Sequence, residues 1–329
     1  MGFSIDYISS AYLLEGSQVV PIRKGTQMFQ PISAFHEGER SLHQKLDIEE
    51  RQHQLGLRMI RDHMPDQHRA FSAMLESVHI GAVDPIRHPW AIMRTGSAGF
   101  MKSPDGKTLT ISSYPLSGEP DDHNLSIGAK TSVVGIHYET QRRNRMNATV
   151  DAAEDSSLSF HVDQSYGNCS KYIQIRNKTP VGSATPKTPV TSTTLNEVDK
   201  DQIAKADTLL IASRAGVDIN YRSGMPGFVS VLTDTTLRLP DYKGNSFYNT
   251  YRNIMTDNRI GLEFVDFETG TLLNIKGTAE LIEGLNDGEL PLMDRGLRIT
   301  VQTVVRDECA LPLRYSFGVF SDRNPSTRL

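Results

Sequence analysis

From Val78 to about Val162 short apolar runs alternate with turns: VHIGAV, PWAIM, AGFM, TLTISSY, SVVGIHY, NATV and LSFHV. Runs of this length, separated by turn residues, predict a small antiparallel barrel. The rhythm then returns. Ala98-Gly99-Phe100 matches Pro226-Gly227-Phe228, and Leu109–Tyr114 (LTISSY) matches Leu237–Tyr242 (LRLPDY), both at an offset of 128 residues. Tyr138-Glu139-Thr140 matches Phe267-Glu268-Thr269 at an offset of 129. A nearly constant offset across three separated blocks predicts two copies of one unit of about 130 residues, an ordinary domain size.

The stretches around these runs follow other patterns. From Phe35 the pattern turns helical. Asp47 and Glu50 have capping-box spacing before ERQHQLGLRMI, which sets Leu55, Met59 and Ile60 on one face. Met64-Pro65-Asp66 ends that helix, and Asp66 is the expected N-cap of QHRAFSAML. Asn177–Asn196 (NKTPVGSATPKTPVTSTTLN) has linker composition, and a short helix over 197–205 leads into the second copy. Within that copy, 245–255 is an amide-rich helical segment carrying Asn249, Thr250 and Asn253. Gly261–Phe267 and Thr271–Ala279 are strands joined by the Glu268-Thr269-Gly270 turn. The expected organisation is an extension over 1–34, a first copy with its helices over 35–176, a linker over 177–199 and a second copy over 200–329.

Composition narrows the class only modestly. Of 329 residues, 38% are hydrophobic and 22% charged, as in an ordinary globular protein. A net charge of −4 argues against a general nucleic-acid binder. No apolar run approaches the roughly 20 residues that span a bilayer, and no secretory pattern opens the chain. Cys169 and Cys309 build neither a CxxC pair nor a disulfide framework, so a cytoplasmic location is expected, and Cys169, with no neighbouring base or resolving cysteine, is expected to be a buried structural thiol. His36, His43, His53, His63 and His68 include no HExxH pattern and no i, i+4 pair, so solvated helix faces are expected of them rather than a metal site. Neither a Walker loop nor a GxGxxG in a supporting context is present, nor a nucleophile–base pattern.

Six phrases, in order, carry a more specific signal: MIRDHMPDQHR (59–69), QRRNR (141–145), DQSYGNCSKYIQ (163–174), ADTLLIASR (206–214), MPGFV (225–229) and GNSFYNT (244–250). Together they resemble the pyridoxamine 5′-phosphate oxidase-like, FMN-binding split-barrel superfamily, in the subgroup that fuses two barrels in one chain. The resemblance implies a mainly β fold with flanking helices (α+β), two tandem split β-barrels forming an intramolecular pseudo-dimer. It also implies FMN between the barrels, with FAD or a deazaflavin as the lesser alternatives.

The two copies are unequal where such a cofactor would sit. After the TLTISSY strand, copy one reads Ser117-Gly118-Glu119-Pro120-Asp121-Asp122, whereas copy two reads Lys243-Gly244-Asn245-Ser246. Three carboxylates repel a phosphate, and a lysine beside glycine and asparagine ahead of a helix attracts one. After the Glu-Thr turn, copy one reads Gln141-Arg142-Arg143-Asn144-Arg145 and copy two Gly270-Thr271-Leu272-Leu273-Asn274. In the resembling family this hairpin reaches across to the partner barrel's flavin. One good site per chain follows, built from the later loop and the earlier hairpin. The plainer reading of Arg142–Arg145 is a solvated hairpin tip.

The remaining candidates are Gln164 and Asn168, in the loop where the family has a GNC-proline motif (here Ser170 stands for the proline), and Arg222 with Ser223 before MPGFV. Asn168 has a tight turn as its equal alternative, and Arg314 is a second candidate for phosphate or substrate contact, with a strand-end role as its equal alternative. The functional expectation is a flavin-dependent oxidoreductase on a small molecule, with NAD(P)H or a reductase as electron partner and a homodimer left open. The alternatives are a non-catalytic flavin or haem carrier, or a scaffold with decayed sites. Pyridoxamine phosphate is not the expected substrate, because the family oxidase's C-terminal Arg–His pattern is missing.

Overall fold

Among the described residues three helices come first: α1 (Glu37–Lys45), α2 (Glu49–Met59) and α3 (Asp66–Met74). A computed structural model of the chain describes residues 35, 37–117, 125–167, 169–181, 185–214, 217–242, 244, 246–283 and 295–324. The extension over 1–34, the acidic residues Glu119, Asp121 and Asp122, and the candidates Asn168, Lys243 and Asn245 lie outside the described residues. The expected caps differ from those observed. Asp47 takes a left-handed φ of 54° in the turn after α1, so it cannot cap α2, whose N-cap is Ile48 without a side-chain hydrogen bond. Pro65 is the N-cap of α3, and Asp66 is its first residue.

Seven strands follow: β1 (Ser77–Val83), β2 (Pro89–Thr95), β3 (Met101–Lys102), β4 (Thr108–Ser112), β5 (Lys130–His137), β6 (Arg142–Glu154) and β7 (Ser157–Gly167). They form one antiparallel sheet in the order β2-β1-β5-β6-β7-β4-β3. Two short strands, β8 (Ile175–Thr179) and β9 (Val190–Ser192), occupy the Pro/Thr/Ser-rich stretch. Then comes α4 (Glu197–Lys205), closed at its start by a capping box between Asn196 and Asp199.

The second set is β10 (Thr208–Ser213), β11 (Asp218–Ser223), β12 (Ser230–Thr233), β13 (Thr236–Pro240), α5 (Asn249–Thr256), β14 (Arg259–Val265), β15 (Leu272–Glu283) and β16 (Arg295–Asp307). Its order, β11-β10-β14-β15-β16-β13-β12, is the first sheet's order strand for strand, with β9 added beside β16. Register agrees as well. The row Met93, His79, Val134, Arg145 of the first sheet corresponds to Tyr221, Leu210, Glu263, Asn274 of the second. The last strand, β17 (Arg314–Val319), pairs with β8.

Side chains alternate along a strand, and both faces of β10 are covered. Leu209 and Ile211 enter the second sheet's own core, while Leu210 and Ala212 enter a cluster shared with the first sheet. β2 does the same, with Trp90 and Ile92 inward and Ala91 and Met93 in the shared cluster. At this seam the backbones come close, since a Cβ at Gly261 would collide with the Pro89 carbonyl. Polar links cross it too. Ile219 N–H donates to Ser132 Oγ at 2.7 Å, and the buried His79 Nδ1 donates to Glu263 Oε1 at 2.8 Å.

The histidines divide. His63 is exposed, but His43 and His68 are buried, so the expectation of solvated faces fails for those two. His43 Nε2 donates to the Ser246 carbonyl at 2.9 Å, and His68 Nδ1 hydrogen-bonds Ser165 Oγ at 2.8 Å. Burial pushes the His68 imidazole below its ordinary pKa, and the Arg61 and Arg142 charges add to the effect. Among the described residues no helix is long and apolar enough to cross a membrane.

Candidate functional site

Two adjoining cavities open between the sheets. The larger, about 690 Å³, has a floor of β6, β11 and α5 residues and a roof made by α2 and the turn before it. The smaller recess, about 70 Å³, shares Lys171, Asn220, Arg222, Tyr242 and Gly244 with it and adds Arg143, Tyr172 and Ser223. No α2 residue lines the recess. Volumes of several hundred Å³ suit a cofactor-sized ligand.

Strand alternation decides what the arginine-rich hairpin contributes. Arg143 and Arg145 fall on one face of β6 and line the cleft. Arg142 and Asn144 take the other face. The Arg142 guanidinium lies 4.8 Å from the centre of the Phe71 ring on α3, and Asn144 lines a small separate cavity of about 20 Å³ beside His68. Of the four candidates, two reach the cleft.

Arg143 is held between backbone carbonyls, donating to Cys169 O at 2.9 Å and Tyr221 O at 3.3 Å. Burial brings its pKa down to about 10, and the nearby Arg222 and Arg145 charges push the same way. It remains cationic at neutral pH. Its Nε is buried and has no partner among the described residues. Arg145 is 3% exposed and paired with Asp218, and Nε and Nη2 also donate to Asn147 Oδ1 at 3.3 and 3.1 Å. Asn147 in turn donates to Gln164 Oε1 at 2.9 Å, so Gln164 supports Arg145 from behind and does not line the cleft.

The α5 candidates divide in the same way. Asn249 lines the larger cavity while donating to Glu39 Oε1 at 2.5 Å. Thr250 and Asn253 turn inward: Thr250 Oγ1 donates to Asp218 Oδ2 at 3.1 Å, and Asn253 Nδ2 donates to Ser213 Oγ at 3.0 Å. Thr250 thereby orients the carboxylate that holds Arg145. Ser223 lines the recess, but its hydroxyl is spent on the Tyr172 carbonyl. Arg222 lines both cavities, its guanidinium 5.6 Å from the centre of the Tyr251 ring. Arg314 lies elsewhere, its Nη1 donating to the Leu311 and Leu313 carbonyls where a side chain at Gly270 would collide with it.

The cleft also holds residues that the sequence reading missed. Tyr242, Tyr248 and Tyr251 line the floor, and Arg295 at the start of β16 donates to Asp241 Oδ2 at 2.8 Å and to the Tyr248 hydroxyl at 2.6 Å. Burial raises the Tyr242 phenol to about 12 and the Tyr251 and Tyr166 phenols above their ordinary value, so all three stay neutral. The roof supplies Leu46, Ile48, Leu55, Arg51 and Gln52. None of these has a local signature, because it is the fold that carries α2 over β11 and α5.

The charge balance is unequal. Asp218 offsets Arg145 and Asp241 offsets Arg295. Arg143, Arg222, Lys171 and Arg51 have no carboxylate partner among the described residues. Cations gathered in a partly enclosed cleft without counter-ions are costly unless an anion joins them. The arrangement fits a ligand with a multiply charged anionic group and a flat, largely apolar body.

The corresponding place on the other side of the seam is built differently. By strand register Leu272 stands for Arg143, Asn274 for Arg145 and Met93 for Tyr221. The loop offset sets Leu116 where the cleft has Gly244. Met93, Leu272 and Leu116 pack into the shared apolar cluster with Ala310 and Leu311. Side chains fill there what is open in the cleft.

No family model and no curated protein matches the chain. Among solved structures it is similar to the HupZ protein of Group A Streptococcus, at 21% identity over 33% of this chain and 90% of that chain, with a TM-score of 0.28. It is also similar to a putative pyridoxamine 5′-phosphate oxidase from Lactobacillus delbrueckii, at 16% identity over 34% of this chain and 94% of that one, TM-score 0.30. A FAD-binding protein from Mesorhizobium loti aligns at 11% identity over 36% of this chain and 98% of that one, TM-score 0.27. Each of these alignments spans about a third of this chain at low identity.

Proposed function

We propose that the chain is a flavoprotein in which two split-barrel copies form an intramolecular pseudo-dimer. In this reading it binds one FMN per chain in the cleft, with FAD or a deazaflavin as the lesser alternatives, and acts as an oxidoreductase on a small molecule. The observation that carries the reading is the convergence of Arg143, Arg222 and Lys171 on a recess that continues into a tyrosine-floored cavity. The matching strand orders support the duplication, and the apolar filling of the opposite place supports a single site.

A bound flavin would supply the two-electron chemistry, and the protein would supply position and electrostatics. Arg143, Arg222 and Lys171 would hold the phosphate, which carries nearly two negative charges at neutral pH. Asp218 keeps Arg145 fixed at the cleft wall, so its charge is preorganised. Leu46, Ile48 and Leu55 above, and the tyrosines below, would exclude water from the flat part of the ligand. A haem carrier fits less well. Among the described residues lining the larger cavity there is no His, Cys or Met, and the Tyr166, Tyr242 and Tyr251 phenols are held protonated.

The test is a titration of the purified, ligand-stripped protein with FMN, followed by quenching of flavin fluorescence. A stoichiometry of about one per chain is expected, with affinity falling at least tenfold in Arg143→Gln/Arg222→Gln, as loss of charge-assisted bonds to phosphate requires. Protein that takes up no flavin refutes the reading. Anaerobic mixing of the loaded protein with NADH or NADPH separates an oxidoreductase, whose flavin band bleaches, from a carrier, whose band persists.

A further inference from the structure

The two sheets meet in a nearly two-fold way: β2 lies against β14 as β11 lies against β5, with β1 against β10 between them. In a true two-fold seam every contact occurs twice with the same residues. Strand register shows which positions correspond here. His79 corresponds to Leu210 and Val134 to Glu263, because His79 pairs with Val134 as Leu210 pairs with Glu263. Two residues earlier on β5 and β14, Ser132 corresponds to Gly261, and on β2 and β11 Trp90 corresponds to Asp218.

At three of these places the seam is polar or open on one side and differently built on the other. His79 and Glu263 are both buried and hydrogen-bonded at 2.8 Å, whereas the corresponding pair, Leu210 and Val134, is apolar and buried in the shared cluster. Ser132 Oγ accepts from Ile219 N–H at 2.7 Å, whereas Gly261 lies so near Pro89 that a Cβ there would collide with its carbonyl. Arg145 is paired with Asp218, whereas the residues at the corresponding positions are Asn274 and Trp90.

Pairing like with like breaks all three contacts. Two first copies would bury both His79 rings beside Val134 without an acid, and would set Ser132 where only a glycine fits. Arg145 would lose Asp218 as well. Two second copies would bury both Glu263 carboxyl groups beside Leu210 and leave the Ile219 N–H without its acceptor. Buried polar groups without partners are costly, and clashes or unpaired groups built against the wrong partner are how pairing becomes specific.

We propose that His79, Glu263, Ser132 and Gly261 form a pairing code, by which a first copy accepts only a second copy and rejects its own kind from another chain. Linkage in one chain then favours closure within that chain. The cleft depends on this choice, because its wall takes Arg145 from one copy and Asp218 from the other. The inference rests on the two-copy part of the proposed function and not on the flavin.

Gly261→Ser/Glu263→Val writes the β5 residues into β14. The second copy then becomes complementary to itself at these positions, while its seam with the first copy loses the acid for His79 and crowds the Pro89 carbonyl. Wild type and variant are unfolded in urea, refolded over a range of protein concentrations and weighed by light scattering after size exclusion. The fraction of chain in species of twice the wild-type mass should rise about tenfold or more in the variant. His79→Leu/Glu263→Val gives the unlike seam a second apolar Leu–Val pair and keeps Gly261, so it should retain the wild-type mass. An unchanged mass distribution in G261S/E263V overturns the proposal. So does an equal shift in H79L/E263V, since damage to the seam rather than its pairing is then being read. Should G261S/E263V not fold, Glu263→Val alone must show the shift and His79→Leu added to it must reverse it. Mass is read without flavin, so a protein that takes up no FMN refutes the flavin reading and leaves this test intact.

Discussion

The Arg145–Asp218 pair is the sharpest quantitative handle on the cleft. Both residues are nearly inaccessible, 3% exposed each, and Asp218 also accepts from Asn220 Nδ2 at 2.5 Å and Thr250 Oγ1 at 3.1 Å. Asp218→Asn keeps the shape and an acceptor for both donors while deleting the charge. Arg145 then loses its paired acid, and Glu39 is left as the nearby carboxylate. Removing one member of a buried pair costs about 3–5 kcal/mol, whereas replacing both by apolar or neutral groups is often near neutral. Against a typical total stability of about 5–15 kcal/mol, the single variant loses about a fifth or more. Urea unfolding of wild type, Asp218→Asn, Arg145→Met and the double variant measures this, and the double should be more stable than the sum of the singles by at least about 2 kcal/mol. A loss under about 1 kcal/mol in Asp218→Asn, with additive singles, would refute the claim that this pair is buried and coupled.

Other outcomes are equally definite. FMN affinity should hold steady from pH 7 to 9 and fall as pH rises through about 10, where Arg143 loses its proton, and the fall should be shallower in Arg143→Gln in the same fluorescence titration. His68 has a folded pKa below its ordinary value, so the unfolded chain binds more protons near pH 6. Its contribution is present above pH 6.5 and is lost as pH falls through the folded pKa, and Tm measured from pH 7 to 5 should drop less steeply in His68→Gln. Gly261→Val drives a side chain into the Pro89 carbonyl at the seam and should cost about 1–3 kcal/mol in urea unfolding, with the loss visible as a lower midpoint.

Much of the secondary structure was legible because it is written in local alternation. The helix expected over 197–205 is α4 at those bounds, and the strand–turn–strand after Gly261 is β14 and β15. Spacing alone does not show that Asp47 closes the previous turn in a left-handed conformation and so cannot cap α2. Period-two alternation along Arg142–Arg145 places Arg143 and Arg145 on one face and Arg142 and Asn144 on the other.

What the chain determined by itself is which residues alternate, where turns break them, and that one half is richer in cations at the hairpin. Only the tertiary structure decided that His43 and His68 are buried, that Thr250 and Gln164 serve behind the cleft, and that Arg51, Gln52 and Arg295 border it. The reason is range. Alternation and turn chemistry act over a few residues, whereas the cleft is assembled from segments as far apart as residues 52 and 295, which meet only when two sheets bury their shared face.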